Sequence, residues 1–185
     1  MRAALAPAGG PGRTTASNAR QNGHELDSTL TLGSPAATEA LARAIAPHLG
    51  PGDMVGLSGG LGAGKSTFAR ALVAARLAAL GRAEDIPSPS YTLVQTYELD
   101  GVELWHADLY RLASPAEAGE LGLEDAFATA ITVVEWAERL GAALPARRLM
   151  LSLELVPGAD DARRARLSAE GPGWDWLPAV LAEAA

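Results

Sequence analysis

The stretch Gly59-Gly60-Leu61-Gly62-Ala63-Gly64-Lys65-Ser66 fits the pattern G-x-x-x-x-G-K-[ST], in which a glycine-rich loop cradles phosphates on its backbone N–H groups. The glycines let successive N–H groups turn inward. In this pattern the lysine reaches the β- and γ-phosphates and the serine hydroxyl ligates Mg²⁺. Lys65 is the only lysine in the chain; the rest of the 15 basic residues are arginine. A compact ammonium on a flexible stem fits such a cradle, whereas a planar guanidinium fits poorly. The stretch predicts nucleotide binding, with Gly60, Leu61, Gly62, Ala63, Gly64, Lys65, Ser66 and Thr67 around the phosphates.

A phosphate loop needs a carboxylate to complete its magnesium site, usually at the end of a neighbouring apolar strand. Asp108 follows the strand-like run Val102–Ala107, and Glu135 follows Ile131–Val134. Sequence leaves open which of the two meets the metal. His106 lies two residues before Asp108 and so on the same strand face, either as a site residue or as a packed core histidine. Trp136, beside Glu135, is either packing or a wall of the nucleotide pocket. Ser88, Ser90 and Thr92 stand in a proline-containing loop that either closes over the phosphates or is a plain turn. With Lys65 the sole lysine, the guanine-reading motif Asn-Lys-x-Asp is absent, which favours ATP.

The elements around these residues read as alternating strands and helices. A strand covers Leu26 and Thr29–Leu32. Ser34 and Pro35 open a helix over Ala36–Leu49 as N-cap and first helical residue. Met54–Leu57 is a short buried strand before the loop, and Ser66–Leu80 is a helix closed by Gly81. Two strand-like runs, Thr92–Tyr97 and Val102–Ala107, flank Asp100-Gly101, a strong hairpin signal. Short helices are expected over Pro115–Leu121 and Glu124–Thr129, and a strand over Ile131–Val134. Ala137–Leu144 reads as helical or irregular. Further expectations are a strand at Leu149–Val156, a turn at Gly158–Arg163, a last strand at Arg164–Ala169 and a helix at Trp174–Ala184. This order predicts a single α/β domain of the P-loop NTPase type, with a mixed, mainly parallel central sheet, flanking helices and one β-hairpin.

The 185 residues suffice for one domain with its own core. Residues 1–24 contain three arginines and no acidic residue, and are rich in Ala, Gly, Pro, Ser and Thr. They read as a disordered extension, leaving 25–185 as the ATPase domain. The net charge of −7 disfavours strong direct binding of nucleic acid. No cysteine is present, so there is no disulfide or thiolate metal site, which fits a reducing cytoplasm. No apolar run approaches the roughly 18 residues that cross a membrane.

Four stretches together are far more specific than the phosphate loop alone. They are Leu61–Thr67, Ser88–Val94, His106–Leu112 and Glu135-Trp136. In order and spacing the chain resembles, over about residues 28 to 170, the TsaE (YjeE) family of small bacterial ATPases. That family acts in making N6-threonylcarbamoyladenosine at position 37 of tRNAs reading codons that begin with A. The resemblance implies that Gly62 to Lys65 hold the phosphates of ATP and that Ser66 and Glu135 ligate Mg²⁺. It makes Asp108 a candidate for catalysis or for a place behind the metal ligands. It makes Ser88–Val94 a switch-type loop and Arg163 an arginine that approaches the nucleotide. It also implies a weak ATPase that acts with TsaD and TsaB and contacts tRNA mainly through them. Two departures are mild: Ser66 and Ser90 stand where the family usually has threonine, and Ser66 keeps the ligating hydroxyl. Two other readings use the same loop: a small-molecule kinase, and a binding module gated by nucleotide.

Overall fold

In the computed structural model, which describes residues 17–22, 25–114 and 117–183, eight strands form one sheet. They are β1 (Ser17–Asn22), β2 (Glu25–Leu32), β3 (Met54–Ser58), β4 (Val94–Leu99), β5 (Val102–Asp108), β6 (Ile131–Glu135), β7 (Arg148–Val156) and β8 (Ala159–Glu170). The helices are α1 (Pro35–Ile45), α2 (Lys65–Ala78), α3 (Glu117–Glu120), α4 (Leu123–Thr129) and α5 (Leu177–Glu183). The spatial order is β1-β2-β8-β7-β3-β6-β5-β4. The central strands β7, β3, β6 and β5 are mutually parallel, and every pairing outside them is antiparallel. The expected mixed α/β sheet with a parallel centre is present.

Side chains alternate across this sheet, as strand geometry requires. Leu57, Leu104, Val133, Leu151 and Leu167 face α1, α2 and α5, where Leu41, Ile45, Phe68 and Leu72 complete the larger core. Met54, Ala107 and Val134 face the other way, onto Leu123 of α4 and Leu140 of the following turn. Each fully buried leucine contributes about 2 kcal/mol of transfer free energy. These two layers fix the ends of β3, β5 and β6, where the candidate groups stand.

Local chemistry explains most element ends. Ser34 Oγ accepts from Ala37 N at 3.2 Å and starts α1. The helix is shorter than expected because Pro47 has no N–H to continue it, and Ala46–His48 tighten into a 3₁₀ turn. Gly81, at φ +70°, ends the chain run of α2. Asp100 and Gly101 both have positive φ and close the β4–β5 hairpin. The strand β4 begins two residues later than expected, since Leu93 at φ +65° cannot continue a ladder. Ala137–Ala143 is 3₁₀ with a kink at Gly141.

Two differences concern the far side of the sheet. A turn was expected over 158–163; the structure confines it to Pro157-Gly158, with Gly158 at φ +77°, and starts β8 at Ala159. Asp160 and Asp161 are exposed on this overhanging hairpin end. Here Ala159 and Arg163 pair with Val156 and Leu155 of β7 while residues 160–162 bulge between them, so no apolar alternation marks it. The second difference lies within the stretch read as an extension: Ser17–Asn22 pair antiparallel with β2. Residues 1–16 and 23–24 of that stretch lie outside the described residues.

Candidate nucleotide-binding site

Three parallel strands deliver the candidate groups to one end of the sheet, the carboxyl end at which open α/β sheets bind ligands. From β3 the chain passes into the glycine-rich loop and then α2. Gly59 takes φ +128°, and a Cβ there would stand 2.2 Å from the Leu153 carbonyl oxygen of β7. Only glycine can turn the chain so close to that strand. Gly64, in the left-handed region, precedes α2 and leaves its N-terminus without a side-chain cap. The first N–H groups of such a helix lack intrahelical partners and, with the helix dipole, favour an anion.

Lys65 is only 5% exposed. Its ammonium donates to the Gly59 and Gly60 carbonyls, each at 2.8 Å, and lies 3.6 Å from the centre of the Trp136 ring. Burial pushes its pKa below the ordinary lysine value, while Glu135, Glu138 and Asp108 pull the other way. The ammonium thus stands in a partly dry cleft within the electrostatic influence of these carboxylates.

Asp108 and Glu135 are register partners on adjacent parallel strands, so their side chains share a face. Their roles are separated by their contacts. Glu135, 1% exposed, accepts from Ser66 Oγ at 2.6 Å on one oxygen. Its other oxygen meets His106 Nε2 at 3.0 Å. Asp108 accepts from Ser90 Oγ at 2.6 Å and from Tyr110 N at 3.0 Å. Ser88 Oγ lies 2.9 Å from Ser90 Oγ, and Asp108 N donates to Leu93 O at 2.9 Å. The Ser88–Val94 loop is therefore fastened to the carboxylate that the sequence left unassigned.

Trp136 holds φ +59° and ψ +40°, a backbone state that costs a bulky residue about 1–3 kcal/mol and clusters at functional sites. That conformation turns the indole over Lys65, where it packs against Tyr110 at a centroid distance of 5.0 Å. The resulting cleft, about 240 Å³, is lined by Leu61, Gly62, Gly64, Lys65, Ser66 and Thr67 of the loop and helix. Ser90, Asp108, Tyr110, Glu135 and Trp136 form the opposite wall. Gly60, which is exposed, and Ala63, which is buried, are not part of this lining. Arg163, expected to approach the nucleotide, is not part of it either: its guanidinium donates to Ala63 O at 3.0 Å and Gly62 O at 3.2 Å, bracing the loop from β8.

A magnesium-bound nucleotide fits these residues. The Ser66–Glu135 pair is a hydroxyl and a carboxylate at hydrogen-bond distance beside an open helix N-terminus. Among the described residues no three His, Cys, Asp or Glu side chains gather as a metal cage. One carboxylate supplemented by phosphate oxygens and water is the usual way Mg²⁺ is held. Tyr110 was missed by the sequence reading as a wall of the cleft; its place two residues after Asp108 was the available signal.

A family model described as "Threonylcarbamoyl adenosine biosynthesis protein TsaE" matches residues 32–165. The chain belongs to the TsaE family. The TsaE protein of Rickettsia bellii is 37% identical over 145 residues, which is 78% of this chain and 97% of that protein. The TsaE protein of Bacillus subtilis is 33% identical over 144 residues, 77% of this chain and 86% of its own length. The crystal structure of Bacillus subtilis YdiB superposes with a TM-score of 0.65 at 27% identity, covering 85% of this chain and 93% of that one. The span matched to the TsaE family contains the whole cleft and Arg163, whereas β1 and α5 lie outside it.

Proposed function

We propose that this protein is a Mg²⁺-dependent ATPase that serves formation of N6-threonylcarbamoyladenosine at position 37 of tRNA, in a cytoplasmic complex with TsaD- and TsaB-like proteins. The observation that carries the reading is the Ser66–Glu135 contact of 2.6 Å beside Lys65 at the open end of α2. It supports a metal–nucleotide site, and membership of the TsaE family supplies the process. Relatives named for tRNA threonylcarbamoyladenosine biosynthesis support the same process here.

In this reading the N–H groups of the loop and of the first turn of α2 bind the phosphates of ATP. Lys65 neutralises charge that develops toward the γ-phosphate during attack by water. Ser66 and Glu135 would hold the Mg²⁺, which offsets charge on the β- and γ-phosphate oxygens when bound. Asp108, tied to Ser90, links the chemistry to the Ser88–Val94 loop and is placed to orient the attacking water. Tyr110 and Trp136 give the nucleotide an aromatic wall.

The cleft lining contains no arginine among the described residues. Phosphoryl transfer is commonly accelerated by an arginine that a partner inserts, which supports a site completed by the complex. It also weighs against a small-molecule kinase with an arginine-rich lid. Arg147 pairs with Asp53, and Arg164 and Arg166 lie near Glu154 and Asp27, all away from the cleft. The test is phosphate release by the reconstituted complex with tRNA. Lys65→Ala and Glu135→Ala should each fold and each lose turnover by about 100-fold or more. Wild-type turnover in either variant sinks the assignment. Threonylcarbamoyladenosine formed equally well with a non-hydrolysable ATP analogue would favour the binding-module reading.

A further inference from the structure

We infer that His106 is a positioning residue that holds the Glu135 carboxylate for the metal-bound nucleotide. The inference rests on the magnesium–nucleotide reading above and adds a residue to it. His106 is fully buried on β5, on the face that also carries Asp108 and, from β6, Glu135. Its Nε2 lies 3.0 Å from Glu135 Oε1, while Ser66 Oγ takes Oε2. Among the described residues its Nδ1 has no hydrogen-bond partner. A carboxylate needs a donor, so the ring proton belongs on Nε2.

A histidine kept for stability alone normally satisfies both ring nitrogens. This one leaves a buried ring nitrogen unpaired, which a leucine of comparable size would avoid. What a leucine would lose is the single polar contact, to Glu135. That contact occupies one carboxylate oxygen and fixes the plane of the group. The other oxygen is thereby aimed at Ser66, where the ion would sit. Groups behind metal ligands commonly act in this way, and removing them costs roughly 10–100-fold in metal affinity.

The test is calorimetric ATP binding to wild type, His106→Leu and His106→Gln, each with Mg²⁺ and with chelator. Glutamine can place an amide donor near the position of Nε2; leucine cannot. The expected result is that His106→Leu binds ATP as wild type does in chelator but loses roughly 10-fold or more of the gain that Mg²⁺ confers. His106→Gln should recover most of that gain. If His106→Leu keeps the full gain, or loses affinity equally with and without Mg²⁺, the positioning role is overturned while the magnesium site stands. Wild type showing no gain from Mg²⁺ overturns the magnesium reading and this inference together. If the leucine variant fails to fold, the imidazole nitrogen spectrum of ¹⁵N-labelled wild type decides. A proton on Nε2 supports the role, and a proton on Nδ1 alone overturns it.

Discussion

The two halves of the sheet do different work. In the parallel half, β3, β5 and β6 each end in a group of the cleft: the glycine-rich loop, Asp108 and Glu135. In the other half, where β7 is parallel to β3 but pairs antiparallel with β8, and β8 with β2, these strands bury Leu151, Leu167 and Leu30 against the helices and add no residue to the cleft lining. Parallel strands send all their carboxyl ends to one edge, so functional groups accumulate there. Antiparallel strands alternate ends and spread theirs over two edges. The second half nevertheless touches the first at two places behind the loop. Leu153 of β7 sits against Gly59, and Arg163 of β8 holds the carbonyls of Gly62 and Ala63. The comparison teaches that the second half serves as a brace for the phosphate loop as well as a core.

Substitutions at these two junctions can break that account. Gly59→Ala combines a backbone state that disfavours a side chain with a Cβ 2.2 Å from Leu153 O. A loss of about 3 kcal/mol is expected, lowering Tm by about 10 °C for a chain of this size, with weaker ATP binding in the fraction that stays folded. Unchanged Tm and affinity would mean that the halves are not coupled through β7. Arg163→Ala should have a smaller effect. Loss of its loop contacts is expected to weaken ATP binding about five-fold, equivalent to about 1 kcal/mol, with little change in Tm. Arg166→Ala, on the same strand but 67% exposed and 3.7 Å from Asp27, should change neither quantity. Equal effects from the two arginines would show that the brace is not local to Arg163.

Legibility followed the same division. The glycine-rich loop, Asp108 and Glu135 were readable because each is marked locally: by a spaced motif, or by a carboxylate closing a β-branched or apolar run. The parallel centre followed from alternating elements. Long-range register was not readable. That Asp108 pairs across from Glu135, that His106 meets the latter, and that Ser90 meets the former depend on strands brought together by the core. The target of Arg163 was hidden for another reason. Its strand overhangs the core and carries Asp160 and Asp161 where a buried strand would carry apolar residues, so the segment resembles a turn. Trp136 was legible as a neighbour of the site, but its left-handed backbone, which places the ring over Lys65, has no sequence signal of its own.

The central claim is that the loop, Lys65 and the Ser66–Glu135 pair form one ATP site that uses Mg²⁺. Titration of ATP into the purified wild-type chain and into Lys65→Ala, with and without Mg²⁺, tests it most directly. The account predicts saturable one-site binding to wild type that tightens with Mg²⁺ and a loss of roughly 100-fold or more in Lys65→Ala. Binding that is indifferent to Mg²⁺, or that survives unchanged in folded Lys65→Ala, would contradict it.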